Sequence, residues 1–318
     1  MAAIIAFGRY LPERRLGNEE LANIAGCDED WIFPASGIEE RRVARADESI
    51  VDMGVAAGLD CMARVFTVKS GLPKPGLIVV SSGSGENRFP GPAAEIGLRL
   101  GFAGVPAIDL PLASAGGLFG ISLGAGLAQV YGDVLVIATE KMSAPAMAEP
   151  VDRNTAILFG DGAGACWITA TTTETAAGLK ILDSALHSDG TWAGDLRLGL
   201  TGPVQMNGLS VILQASRKLP SAIGEVLLRH GIPASSVEAF LVHQANQNLI
   251  DRVAKALGVP GERFYSNIRT YGNTSSASML IAASEWFEAA KLQVGDTVCF
   301  AAFGAGFHWG AVLARFEA

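Results

Sequence analysis

Short apolar runs rich in β-branched residues alternate along the chain with longer stretches of Ala, Leu and Gly. Leu77-Ile78-Val79-Val80 precedes a helix-like segment from Pro92 to Leu100, and Val134-Leu135-Val136-Ile137 follows another, from Ala115 to Tyr131. Strand-length runs separated by helix-length segments predict an α/β fold. The segment from Ala115 to Tyr131 holds too much glycine for a stable exposed helix. Glycine and alanine let a buried helix approach its neighbours closely, so this one is expected at the centre of the fold.

The pattern repeats. A strand, a turn, a helix, a Leu-Gly pair, a strand, a small-residue turn, a second helix, a Gly-Asp pair and a strand run from Leu77 to Glu140, and the same order begins again at Phe240-Leu241-Val242. The second copy continues through Leu257-Gly258, Gly272-Asn273-Thr274 and a helix-like stretch from Ser278 to Ala290, ending in Val298-Cys299-Phe300. The Leu-Gly pairs at 100 and 257 lie 157 residues apart and the Gly-Asp pairs at 132 and 295 lie 163 apart. Loosely similar βα units occur in any α/β chain, but offsets this constant point to duplication, with halves at 1–170 and 171–318.

Composition narrows the function. The chain has 318 residues, 49% hydrophobic and 18% charged, which excludes disorder and suits a packed enzyme. Lys and Arg number 24 against 32 Asp and Glu, and no basic run stands out, so no nucleic-acid partner is expected. The apolar stretch Ala2 to Phe7 is too short for a signal peptide or a membrane span, so no membrane association and a cytoplasmic location are expected. Cys27, Cys61, Cys166 and Cys299 show no C-x-x-C spacing, nor do His187, His230, His243 and His308 show ligand spacing. Reduced core thiols and no metal site follow.

Duplication lets equivalent turns meet at one central site. Ser114 stands at the start of the central helix of the first copy, and Asn273, 159 residues later, in the matching turn of the second. His243 follows the strand Phe240 to Val242, where α/β proteins place ligand-binding groups. Unpaired N–H groups at a helix start favour a nucleophile, and an imidazole is a fitting base for a serine. Singly, each residue has a plainer reading: Ser114 a helix cap, His243 a core histidine, Asn273 a turn residue. Phe303-Gly304-Ala305-Gly306-Phe307 is either an oxyanion hole or a tight turn. Gly160-Asp161-Gly162-Ala163-Gly164-Ala165 fits a dinucleotide fingerprint only formally; since Cys166-Trp167-Ile168 continues as strand, it is read as a turn between strands.

Several motifs now stand in order: Tyr10-Leu11-Pro12, Asp30-Trp31-Ile32 with Ser36-Gly37-Ile38, Phe159 to Ala165, His187-Ser188-Asp189-Gly190, and Val242-His243-Gln244-Ala245-Asn246. Gly272-Asn273-Thr274-Ser275 and Phe303 to Gly310 complete the series. Nearly end to end, the chain resembles the thiolase-fold condensing enzymes, specifically β-ketoacyl-(acyl carrier protein) synthase III. The resemblance implies a five-layered αβαβα fold made of two duplicated halves, and a homodimer. It also implies an enzyme of fatty-acid or polyketide-type biosynthesis that loads an acyl group from coenzyme A onto a cysteine and condenses it with malonyl-carrier protein. No cofactor is implied beyond the coenzyme A thioester, which is substrate.

By position, His243 and Asn273 match the polar pair of that family, and the backbone N–H groups of Ser114 and Ala305 its oxyanion hole. Trp31 and Arg153 match the pair that sandwiches adenine, Asn246 falls among the substrate-binding positions, and Phe89 matches a residue that enters the partner subunit's acyl pocket. The chief departure is Ser114, which stands where the family has its nucleophilic cysteine. An alcohol needs a base where a thiolate does not, and its acyl ester is a poorer electrophile for a carbanion. Ala35 and Asn248 stand where arginines serve coenzyme A phosphates and carrier docking, and Lys255 is followed by Ala256. The expected function is therefore an acyltransferase using acyl-coenzyme A, or an acyl carrier protein, through acyl-Ser114. A non-catalytic paralogue pairing with an active subunit, a thioester hydrolase, and a serine that merely replaces a native cysteine are the alternatives.

Overall fold

The computed structural model describes residues 2–68, 73–170 and 177–317. Nine strands form the main sheet: β1 (Ala2–Tyr10), β2 (Leu77–Ser81), β3 (Ala107–Leu110), β4 (Val134–Lys141), β5 (Asp161–Ala170), β6 (Gly178–Ser188), β7 (Ala239–Val242), β8 (Thr297–Gly304) and β9 (His308–Glu317). Their order is β7-β8-β9-β6-β1-β5-β4-β2-β3.

The order contains the same pattern twice. In the first copy β2 pairs parallel with β3 and β4, and β4, β5 and β1 continue antiparallel. In the second, β7 pairs parallel with β8, and β8, β9 and β6 continue antiparallel. The counterpart of β3 is a single parallel bridge from Phe264 to Phe240. The copies join edge to edge where Ala3 pairs with Lys180 and Ile4 with Leu179. The expected boundary between 170 and 171 borders residues 171–176, outside the described residues.

Side-chain alternation explains why the strands read as unbroken apolar runs. Val134, Val136 and Ala138 face an inner core, while Leu135 and Ile137 face an outer one against the helix Ile50–Val68. In β8, Val298, Phe300 and Ala302 point inward, and Cys299, Ala301 and Phe303 pack under the helices Gly208–Arg229 and Gln247–Leu257. A strand buried on both faces has no polar period. Between the two inner faces lie the helices Gly116–Tyr131 and Ser278–Ala289, so five layers stack as αβαβα.

The four cysteines are free thiols, three of them buried. Among the described residues no helix is long and apolar enough to cross a membrane. One expectation is corrected. The run from Gly160 to Ala165 is not a turn, because β5 begins at Asp161. Its residues are small for another reason: a Cβ at Gly164 would lie 2.6 Å from Leu280 Cβ of the central helix.

The two central helices meet as closely at their starts. A Cβ at Gly117 would lie 2.6 Å from the Ser276 carbonyl oxygen, a backbone atom with no rotamer to yield. Gly117→Ala is expected to lower stability by about 1–3 kcal/mol through overpacking. Gly126, on the same helix with nothing within 4 Å, is the control. There alanine is expected to stabilise by about 0.5–1 kcal/mol, both effects being read as shifts in the urea midpoint.

Candidate active site

Ser114, His243 and Asn273 line one cavity of about 650 Å³, its mouth included. Each is at most 7% exposed. Ser114 lies in the turn between β3 and the helix Gly116–Tyr131. The N-cap of that helix is Ala115, so Ser114 precedes the helix rather than starting it, and no side chain caps it. The plainer reading of Ser114 as a capping residue therefore fails, and its hydroxyl remains available to the cavity.

His243 follows β7, and its N–H donates to the Ala301 carbonyl at 2.9 Å, which prolongs the β7–β8 pairing and fixes the backbone. Its Nδ1 lies 2.6 Å from Ser278 Oγ at the first turn of the central helix, which leaves Nε2 to the cavity. Asn273 is clamped from the other half of the chain: its N–H donates to the Leu158 carbonyl at 2.9 Å, and its carbonyl accepts from Gly160 N–H at 3.0 Å. Its Oδ1 accepts from Ser275 N–H at 2.9 Å, and its amide nitrogen is 3.5 Å from the Ala245 carbonyl. The latter contact is long, so the Nδ2 donor is weakly committed.

Neither Ser114 N–H nor Ala305 N–H pairs with a backbone carbonyl among the described residues. Gly304, which precedes Ala305, packs against the Ser114 turn because it has no side chain: a Cβ there would sit 3.1 Å from Ser114 N and 2.8 Å from Ala115 N. Unpaired backbone donors are the groups an oxyanion pocket is built from.

Behind these groups lies a fully buried carboxylate, Glu140 at the end of β4. It accepts from Gly83 N–H at 3.0 Å, from Ser84 N–H at 3.0 Å and from Ser84 Oγ at 2.6 Å. From the other half it accepts from Ser276 Oγ at 2.6 Å and Ser276 N–H at 3.3 Å. Gly83 in turn abuts Ala113, where an added Cβ would come within 3.1 Å of the Ala113 Cα. The carboxylate thus braces both the Ser114 turn and the turn carrying Asn273 and Ser278.

Other expected residues lie outside the cavity or on its rim. Asn246 borders it, but its amide is occupied: Oδ1 accepts from Asn248 N–H at 2.8 Å as a helix cap, and Nδ2 donates to the Ala35 carbonyl at 2.9 Å. Asn248 donates to the Pro34 and Ala35 carbonyls, so both amides secure the end of the helix Glu29–Ser36. An adjoining recess at this rim is lined by Ala35, Asn248, Asp251 and Arg252 among others. Trp31 and Arg153 stand together, the guanidinium 5.4 Å from the ring centroid, but do not line the cavity. Phe89 is 85% exposed and borders a separate, larger surface cavity.

The sequence reading missed Ser278 and Glu140, and it could not place the walls. Val211, Ile212, Leu219, Leu249 and Phe303 supply apolar lining, with Leu196 and Met206 from a short antiparallel pair of strands before the helix Gly208–Arg229. A charge closing an apolar strand and serines heading an apolar helix were the available signals.

Models described as 3-oxoacyl-[acyl-carrier-protein] synthase III match residues 108–190, and as its C-terminal part residues 227–316. The chain is 35% identical to the β-ketoacyl-[acyl-carrier-protein] synthase III of Oleidesulfovibrio alaskensis, covering 98% of each. It is 34% identical to that of Bacillus pumilus, over 99% of this chain and 98% of the relative. The crystal structure of 3-oxoacyl-(acyl carrier protein) synthase III from Pseudomonas aeruginosa superposes with a TM-score of 0.91 at 30% identity, covering 100% of this chain and 98% of that one. A priming β-ketosynthase of a polyketide pathway gives 0.88 at 29% identity, covering 99% and 96%.

Burial pushes the His243 imidazole from its ordinary value near 6.5 down to about 3. An unfolded chain binds that proton near 6.5 and the native one only near 3, so the unfolded state holds more protons in between. Stability is therefore expected to fall as pH drops through that window. His243→Gln should lose this part of the acid sensitivity, checked by comparing urea midpoints of both proteins from about pH 7 to about pH 4.

Proposed function

The chain belongs to the 3-oxoacyl-(acyl carrier protein) synthase III family of condensing transferases, and on that footing we propose that it is an acyltransferase working through acyl-Ser114. The observation that carries this reading is the convergence of Ser114, His243 and Asn273 on one apolar-walled cavity, with Ala305, whose N–H has no backbone partner, following the glycine that packs against the Ser114 turn. The donor is an acyl thioester of coenzyme A or of a carrier protein, in fatty-acid or polyketide-type biosynthesis. The aliphatic walls suit an acyl chain, and the facing Trp31 and Arg153 are the pair for an adenine.

In acylation Ser114 Oγ attacks the thioester carbonyl, whose oxygen gains charge against Ser114 N–H and Ala305 N–H, while Asn273 Nδ2 orients the substrate. The Ser114 proton passes to His243 Nε2. An imidazole this deeply desolvated does not hold a second proton, so that proton moves on to the thiolate sulfur as the carbon–sulfur bond breaks. The ring is neutral again once the thiol leaves. In a homodimer the exposed Phe89 is the side chain offered to the second copy. Unpaired donors in an accessible cavity support an active enzyme over a subunit kept only for pairing.

Intact-mass spectrometry after incubation with short acyl-coenzyme A or acyl-carrier donors is expected to show one acyl adduct on the wild type and none on Ser114→Ala. No adduct with any donor overturns the reading. Ser114→Cys should acylate at least about tenfold faster, since a thiol ionises several pH units below an alcohol and its thiolate is the stronger nucleophile.

A further inference from the structure

Arg41 stands in the strand Glu40–Val43 with its side chain fully buried. That strand pairs antiparallel with Arg14–Gly17, Leu16 lying opposite Arg41. The guanidinium forks between two segments of the chain. Nη1 donates to Asn18 Oδ1 at 2.8 Å and to the Leu16 carbonyl at 3.2 Å, while Nη2 donates to the Ile157 carbonyl at 2.8 Å. All three acceptors are neutral, and Nε has no partner among the described residues. Glu40, next to it in sequence, pairs with Arg15 at 3.2 Å. Burial pulls the guanidinium from 12.5 down to about 10, which leaves it charged at neutral pH. A buried cation facing neutral carbonyls costs desolvation energy that an apolar side chain of similar length would not. What the fork supplies instead is a tie between the hairpin that ends at Asn18 and the carbonyl of Ile157.

Ile157 leads into the segment that seats Asn273. The Leu158 carbonyl accepts from Asn273 N–H at 2.9 Å, Gly160 N–H donates to the Asn273 carbonyl at 3.0 Å, and Phe159 and Asn273 form an isolated parallel bridge. The stem of Arg41 packs against both glycines that flank this pairing: a Cβ on Gly160 or on Gly272 would lie 3.0 Å from Arg41 Cβ. Arg41 itself does not line the cavity. The Asn273 amide nitrogen has one long side-chain contact, 3.5 Å to the Ala245 carbonyl, so its place is inherited from the backbone beneath it. We propose that Arg41 is a positioning residue, whose hold on Ile157 sets where Asn273 presents its carboxamide to the cavity. This rests on the acyl-Ser114 reading, in which Asn273 Nδ2 orients the substrate, and adds the group that places that amide.

A double-mutant cycle tests whether Arg41 acts through Asn273. Adduct formation from a short acyl-coenzyme A is followed by intact-mass spectrometry in the wild type, Arg41→Met, Asn273→Ala and the double variant. Arg41→Met and Asn273→Ala are each expected to slow the maximal rate about tenfold, with the half-saturating donor concentration unchanged for Arg41→Met. The double variant is expected within about twofold of Asn273→Ala, since a residue acting through another has nothing left to act on. Wild-type speed in Arg41→Met, or a further tenfold loss in the double variant, overturns the proposal; the latter is what general loosening of the fold would give. Should Arg41→Met not fold, Arg41→Lys keeps the charge but lacks the fork, and enters the same cycle. Separately, free protein labelled with ¹⁵N-asparagine is read by NMR, the Asn273 side-chain amide being assigned by its loss in Asn273→Ala. In Arg41→Lys that signal is expected to shift while the amide of Asn246, which borders the same cavity but is held by the Ala35 carbonyl, stays in place. An unmoved Asn273 amide, or one that moves together with Asn246, overturns the role of Arg41. Failure of the wild type to form acyl-Ser114 sinks the parent reading instead, and the amide spectrum does not depend on it.

Discussion

A single buried carboxylate holds the site together. Glu140 sits at the end of a strand of the first half and takes hydrogen bonds from the Ser82–Ser84 loop beside it and from Ser276 of the second half. A carboxylate only accepts, so it can gather donors from several segments at once without competing for their carbonyls. Removed, it would leave several buried donors without partners, each costing on the order of 1–3 kcal/mol. The serine turn and the asparagine turn, nearly half the chain apart, take their relative positions from this contact and from the clamp between Asn273 and Leu158–Gly160.

Around that brace the chemistry is set by what has been kept away from water. The imidazole is neutral because it is buried, and an alcohol nucleophile gains nothing from waiting beside a neutral ring until substrate arrives. A thiolate in the same place would be ready beforehand. On the proposed acyl-Ser114 route the difference would move the demanding event from the resting protein to the moment of attack, where the two unpaired N–H groups and the departing thiol would share the charge.

Much of this was legible in the chain. Leu77 to Val80, Val134 to Ile137 and Phe240 to Val242 are strands because unbroken apolar runs of that length mean burial on both faces. The constant offset between the copies brought Ser114 and Asn273 to matching turns, and both do face one cavity with His243. The residues that escaped notice act at long range. Nothing near Glu140 in sequence says that its partner is Ser276, and Ser278 acquires meaning only when the helix start folds against His243. The misread segment is instructive: in Gly162-Ala163-Gly164-Ala165 small residues signalled a turn, yet they are small because a helix lies against the strand. Absence of side-chain volume has two causes, and only the fold tells them apart.

The shared middle layer has a consequence for how the molecule comes apart. Each repeat contributes one of the two interior helices, and each of those helices covers both inner sheet faces. Neither repeat therefore owns a finished core, and the seam at Ala3–Ile4 and Leu179–Lys180 makes the sheet one continuous ribbon. A chain severed between the repeats would yield two pieces, each insoluble alone and each the missing half of the other's interior. Loss of one should be felt throughout, so the backbone amides of both repeats are tied to a single cooperative opening.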